Sequence, residues 1–461
     1  MNLAPQPRRL RAAARTTGTA TGLGFAVLFL TFAVTSRLTD LVVYRLGGNV
    51  LLHGGDLYSA VEPASGLPFT YTPFAAAVFT PLALPPRPVA QLVWTLLLLV
   101  SLYFFCATSL AATRPSPAGR WPGVRAVGPV VGLAMLAEPI RRNFDLGQIN
   151  IALGLLVALD LFGRRGPLPR GVLIGIAAGI KLTPLIFVPH LLLTGRHRAA
   201  LTAVATFGVT IGVGFAASPG SSATYWSETF LDTGHVGGVP FAGNQSLLGV
   251  LARLISGADN ARPLYLPLAA VVAAVGLATA ARLFRSGARL PGDVTCALTG
   301  LLVSPISWSH HWVWAVPALL WMSAAPGRPR WGRGAAVAGY GLLVAAPIWW
   351  VPNTGDAEFS HHGWQLLAGN CYFLAALLLL GALAAWALTG ARGGPRAPVP
   401  RLSEQRIVGR RVPGPRAPDP RRPAGRPAPR LSRDFSARPT PSGRVGVPSA
   451  PVWVGRSRRS P

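Results

Sequence analysis

The sequence predicts an all-α polytopic membrane protein, and three observations carry that prediction. Of 461 residues, 51% are hydrophobic and only 13% are charged, too little polar surface to cover a soluble globule of this size. Apolar runs of membrane-crossing length recur over 20–36, 89–112, 126–140, 148–163, 199–217, 263–284, 293–308, 312–325, 334–351 and 365–389, as a bundle of spanning helices requires. The basic residues also alternate between loops. Segments 1–19, 113–125, 164–170, 194–198, 282–292, 326–333 and everything after 390 hold 35 of the 43 Lys and Arg, which puts those segments and both termini in the cytoplasm. The first apolar run has no small-residue cleavage site followed by a hydrophilic domain, so it reads as an anchor.

Three regions follow: a basic cytoplasmic N-terminus (1–19), a transmembrane domain (20–390) and a tail (391–461). The formal net charge of +28 suggests nucleic acid, but its placement argues otherwise. Half of it lies in the tail, which holds 17 Arg against three acids and is rich in Pro, Gly and Ser without periodicity. Such composition predicts a disordered chain that meets anionic lipid headgroups. The cysteines at 106, 296 and 371 stand apart in apolar runs, without metal or redox spacing, and read as small core residues.

The acids show the opposite bias and gather at the outer face, where acids contribute little to orientation. Just beyond the first span, "TDLVVYRLGGNVLLHGGDLY" carries Asp40 and Asp56 on either side of a helical pattern. Asp40 suits either a helix N-cap or a base facing outward; Asp56 suits a cap or turn, or a contact to sugar. The piece 72–84, closed by "PPRP", is too short to span and predicts a half-helix beside this loop. "RRNFDLGQIN" (141–150) offers Arg141 and Arg142 for a phosphate or as helix-end charges. Gln148 and Asn150 are offered there for bonds across the bundle.

The run 171–193 has Arg beyond both ends, so both ends should be cytoplasmic. Lys-Leu-Thr-Pro interrupts it, and Pro184 removes a backbone donor, which predicts two re-entrant half-helices lining a cavity or buried in protein. Lys181 is the single Lys beside 42 Arg. In an apolar segment it either meets an anionic group or snorkels to the surface. "FAGNQSLLGVL" (241–251) presents Asn244 and Gln245 as sugar-hydroxyl partners, as a glycosylation sequon or as part of a helix cap. "SPISWSHHWVWAVP" (304–317) places His310 and His311 among three Trp at an outer membrane edge, where imidazoles can donate to phosphate or move a proton. Adjacent His face different sides of a helix, so no metal site is expected. The second pair, His361–His362, is expected at the surface.

No Walker loop, no dinucleotide fingerprint and no cytoplasmic DxD is present, so a cytoplasmic nucleotide-using enzyme is unsupported. Chemistry at the outer face would need an activated donor carried on a lipid. A transporter or flippase for lipid-linked glycans also fits Lys181 and the broken segment, although no inverted repeat is evident.

Six stretches in order, "DLVVYRLGGNVLLHGGDLYS", "PFTYTPFAAAVFTPLALPP", "GQINIALGLLVALDL", "GVLIGIAAGIKLTPLIF", "GNQSLLGVLAR" and "SPISWSHHWVW", resemble glycosyltransferase family 87 over roughly 20–390. Thr72 departs from the Pro usual in the family at that position. The resemblance implies a GT-C type bundle of about 10–12 transmembrane helices with a helical first extracytoplasmic loop. It also implies an inverting enzyme that moves mannose, or another sugar, from a polyprenyl-phosphate donor to a glycolipid or polymeric glycan as an α-1,2 linkage. Asp40 would be the single catalytic base. His310 and His311, with Arg141 and Lys181, would hold the leaving phosphate, and no cofactor, metal or nucleic acid is implied.

Overall fold

The computed structural model describes residues 20, 23–24, 26–28, 30–31, 37–114, 121–164, 166–232 and 236–389. The N-terminal segment and the tail expected to be disordered lie outside the described residues. Every element described is helical, apart from two isolated bridges, Val61 with Pro68 and Asn244 with Trp308. This is an all-α polytopic membrane protein. Among the described residues, four helices are long and apolar enough to cross a membrane: α3 (Arg87–Thr113), α9 (His197–Ala217), α12 (Ala258–Arg285) and α17 (Cys371–Thr389). Large apolar side chains stand exposed along all four, such as Val100 on α3, Leu201 on α9, Leu266 on α12 and Leu378 on α17, as lipid contact requires.

Shorter helices fill the bundle. The described residues between 20 and 31 are helical. After them come α1 (Thr39–Leu52) and α2 (Pro73–Ala83), packed on each other. Gly48 makes that packing possible: a Cβ there would stand 2.9 Å from the carbonyl oxygen of Phe79, closer than real side chains come, while Gly47 makes room for the Phe69 ring. This stretch is thus a helix that lets a second backbone close on it. α4 (Val124–Leu136) ends short of the predicted span at Ala137, and a separate amphipathic α5 (Glu138–Leu146) follows. α6 (Asn150–Leu161) then packs on α3.

The interrupted run 171–193 folds as expected into two pieces. α7 (Val172–Ile180) stops at Lys181, whose backbone is extended (φ −147°, ψ 128°). A 3-10 turn (Thr183–Ile186) leads into α8 (Phe187–Leu193). Thr72 holds this break in place. Its hydroxyl accepts from Ala75 N (3.1 Å), capping α2, and donates to the carbonyl of Gly179 in the last turn of α7.

The remainder comprises α10 (Pro219–Ser227), α11 (Leu247–Leu254), α13 (Arg289–Val303), α14 (Ala315–Ala324), α15 (Gly332–Ala345) and α16 (Trp364–Gly369). A 3-10 turn over Ser309–Trp314 joins α13 to α14. This turn lies where two apolar cores meet, with Val313 packed in one beside Phe105 and Ile151, and Trp312 in the other beside Leu302 and Tyr372. Near the start of α13, buried Asp293 accepts from His190 Nε2 and Arg196, both at 2.9 Å, fastening α8 to α13.

Candidate active site

Four segments converge at one end of the bundle: the first turn of α1, the α5–α6 junction, the break after α7 and the Ser309–Trp314 turn. Asp40 lies in the first turn of α1. The N-cap is Leu38, in the left-handed region (φ 47°), and no side chain caps the helix. The capping alternative for Asp40 is therefore wrong, and its carboxylate is free for other work. Asp40 is partly buried, and burial raises its pKa to about 6, against the opposing pull of the Lys181 ammonium, a hydrogen bond from Gln148 and the Arg142 guanidinium.

The α5–α6 junction is brought to Asp40 by Gly147. Its φ is +71°, and a Cβ there would stand 3.0 Å from Cβ of Leu41 and 3.2 Å from Cβ of Leu38. Glycine is thus required both for conformation and for the approach to α1. Trp94 Nε1 donates to the Gly147 carbonyl (2.7 Å). The next residue, Gln148, is buried, and its Oε1 accepts from Tyr44 (3.0 Å), Tyr71 (3.3 Å) and Asn150 Nδ2 (3.3 Å). With its oxygen so committed, the Gln148 amide nitrogen is the atom left to donate to the Asp40 carboxylate. Tyr44 is itself clamped by stacking on Phe79 (centroids 4.3 Å apart) and edge contacts to Tyr71 and Trp94.

Opposite stands the cation. Lys181 Nζ donates to Asn150 Oδ1 (3.1 Å) and to His311 Nε2 (2.8 Å), and lies 5.8 Å from the centre of the Tyr71 ring. An ammonium has no acceptor, so His311 must present an unprotonated Nε2 and carry its proton on Nδ1. Burial and the Lys181 charge both lower the pKa of His311, in keeping with that neutral ring. His310 stacks edge-on against His311 (4.9 Å), and its buried Nε2 has no partner among the described residues. Asn143 Nδ2 (2.8 Å) and Asn150 Nδ2 (3.3 Å) hold the His310 carbonyl. Arg142 lies over the Trp349 ring, 5.4 Å from its centre.

Asp40, Gln148, Lys181, His310 and His311 therefore form one site. The other candidates lie differently. Of the two arginines it is Arg142 that acts on Asp40 and His310, while Arg141, also partly buried, has no such effect on either. Asp56 is exposed, and its carboxylate accepts from Tyr58 N (3.1 Å), the turn role expected of it. Asn244 and Gln245 are fully buried. Asn244 donates to the carbonyls of Val239 and Pro305 and accepts from Ser307 N; Gln245 donates to the carbonyls of Ala242 and Gly369 and accepts from Tyr372 N and Phe373 N. These amides staple loops together. The next residue, Ser246, caps α11 through Gly249 N (3.0 Å). The expectation for His361 was wrong: it is buried, with Nε2 2.8 Å from the Pro352 carbonyl, because the loop folds back over it, while His362 is exposed.

Sequence reasoning missed Tyr44, Tyr71 and Asn143 as site residues, since nothing local distinguishes them. Glu138 carried a signal: it is a carboxylate inside a predicted span, where charge is costly and by default functional. No group of three or more metal-ligating side chains occurs among the described residues.

The profile of glycosyltransferase family 87 matches residues 69–305. The chain belongs to glycosyltransferase family 87. Among curated relatives of this family member, the polyprenol-phosphate-mannose-dependent alpha-(1-2)-phosphatidylinositol mannoside mannosyltransferase of Mycobacterium tuberculosis is 36% identical over 78% of this chain and 87% of its own length. Its counterpart of the same name in Mycolicibacterium smegmatis is 37% identical over 72% of this chain and 80% of its own length. A phosphatidylinositol pentamannoside mannosyltransferase of Mycobacterium tuberculosis, likewise polyprenol-phosphate-mannose-dependent, is 35% identical over 78% and 87%. No solved structure matches the family 87 chain significantly. Membership of a transferase family removes the transporter alternative.

Proposed function

We propose that this protein is an inverting α-1,2-mannosyltransferase, using polyprenyl-phosphate mannose as donor and a phosphatidylinositol-anchored mannoside as acceptor, at the extracytoplasmic face. Donor, linkage and acceptor class follow the names of the relatives. The observation that carries the mechanism is Asp40 set against Lys181 and His310–His311, with a single carboxylate as base.

The acceptor hydroxyl attacks the anomeric carbon of mannose while Asp40 takes its proton. The bond from that carbon to the phosphate oxygen breaks, and its electron pair leaves with polyprenyl phosphate. A phosphate needs no proton to leave, so one carboxylate suffices where a glycosidase needs two. Lys181 and Arg142 supply positive charge for the phosphate as it forms, and His310 offers an imidazole nitrogen that no group among the described residues satisfies. Attack from the face opposite the phosphate turns a β-linked donor into an α-mannoside.

The test is Asp40→Asn in membranes supplied with polyprenyl-phosphate mannose and phosphatidylinositol mannoside. Transfer should fall by at least about a hundredfold with protein level unchanged. Wild-type activity in that variant would remove Asp40 as the base. The chain's identity of 36% to a phosphatidylinositol mannoside enzyme and 35% to a pentamannoside enzyme does not choose between short and long acceptors. Assay of both in parallel decides it.

A further inference from the structure

We infer that Glu138 is a positioning residue for the histidine pair and Arg142, acting from behind the site and touching no substrate; the inference rests on the proposed transfer reaction. Glu138 opens α5 and is 4% exposed. Its Oε1 accepts from Ser309 Oγ (2.7 Å) and from Trp349 Nε1 (2.9 Å), and its Oε2 from the Tyr372 hydroxyl (3.2 Å). One carboxylate thus joins α5, the histidine turn, the segment after α15 and α17.

Each partner leads into the site. Ser309 is the residue before His310. Trp349 is the surface on which the Arg142 guanidinium lies. Tyr372 packs against Trp312 (centroids 5.9 Å), the residue after His311. The carboxylate therefore holds both flanks of the His310–His311 pair and the platform of the arginine. Five residues along α5, Asn143 holds the His310 carbonyl, so this short helix is tied to the turn at two points.

The chemistry of the partners explains why a carboxylate stands there. An indole N–H can only donate, and the two hydroxyls donate here as well, so an acceptor-only group satisfies all three. Burying that charge carries a cost that charge-assisted bonds offset, and Arg142 lies near enough to help. Gln in its place keeps an oxygen for Ser309 and Trp349 and turns its amide to the Tyr372 oxygen. Ala keeps nothing.

The experiment uses the full-length protein with polyprenyl-phosphate mannose as the varied substrate and phosphatidylinositol mannoside as acceptor. Glu138→Ala should lower kcat/KM for the donor by about ten- to a hundredfold, as small displacements of catalytic groups do, with the KM for acceptor unchanged. Glu138→Gln should recover most of that loss. Ser309→Ala should lower the same parameter by less, and the Glu138→Ala/Ser309→Ala double variant should be no worse than Glu138→Ala alone, because the two act through one bond. A Glu138→Ala enzyme with wild-type donor kcat/KM overturns the inference, as do losses that simply add. Should Glu138→Ala fail to accumulate, Ser309→Ala decides: wild-type donor kcat/KM there overturns it. A wild-type protein that does not use this donor while Asp40→Asn is equally silent removes the functional reading, and this inference with it.

Discussion

At the scale of single residues, opposing fields act on Asp40. Burial favours the neutral acid, while Lys181, Gln148 and Arg142 favour the carboxylate. The balance leaves Asp40 at about 6, useful for a base because it is ionised near neutral pH yet still willing to take a proton. The sign of the pH dependence follows. The base form is present above that value and is lost as pH falls through it, so donor kcat/KM should drop on the acid side with a midpoint near 6. Lys181→Met removes a positive charge that lowers the Asp40 pKa, and the acid limb should move to higher pH. A pH profile measured on both proteins checks this. An unmoved limb would place Lys181 too far from Asp40 to act on it.

At the scale of elements, the break between α7 and α8 is what delivers Lys181 to the site. A continuous helix through 171–193 would carry the ammonium elsewhere, and Pro184 prevents it. The cut ends of such a break need partners, and Thr72 supplies one by capping α2 while donating to the Gly179 carbonyl. Thr72→Val keeps the shape but loses both bonds. It should destabilise the protein by about 1–2 kcal/mol and lower donor kcat more than acceptor affinity, since the tether ends two residues from Lys181. Thermal unfolding in detergent together with donor kinetics measures both. Unchanged stability would mean that the tether contributes nothing net.

At the scale of the whole molecule, the candidate site and the Asp293–His190–Arg196 cluster lie at opposite ends of α13. We propose, from the distribution of Arg, that the first of these faces outside the cell and the second inside. Single cysteines at Asp56, on the exposed turn beyond α1, and at Arg330, in the loop before α15, test that orientation. An impermeant maleimide should label the first in intact cells and the second only after permeabilisation. The three native cysteines are buried or partly buried and give little background. The reverse pattern would invert the topology and place the reaction in the cytoplasm.

The sequence by itself determined the class of fold, the order of the apolar helices and the interruption at Lys-Leu-Thr-Pro, and it marked Asp40, Lys181, His310 and His311 as candidates. These were legible because each is a local contradiction: a charge, a proline or an imidazole pair where the apolar pattern should continue has a cost that something must offset. Tertiary structure alone decided which candidates meet. Asn244 and Gln245 looked as available as Gln148, yet their amides are spent on loop backbone, while Gln148 is turned by two tyrosines toward Asp40. Arg142 was separated from Arg141 only by the face of α5 on which it lies. The tyrosines and Glu138 acquire their roles from partners 27 to 234 residues away. No local pattern encodes such distances, because hydrogen-bond partners across a bundle are set by how its helices pack.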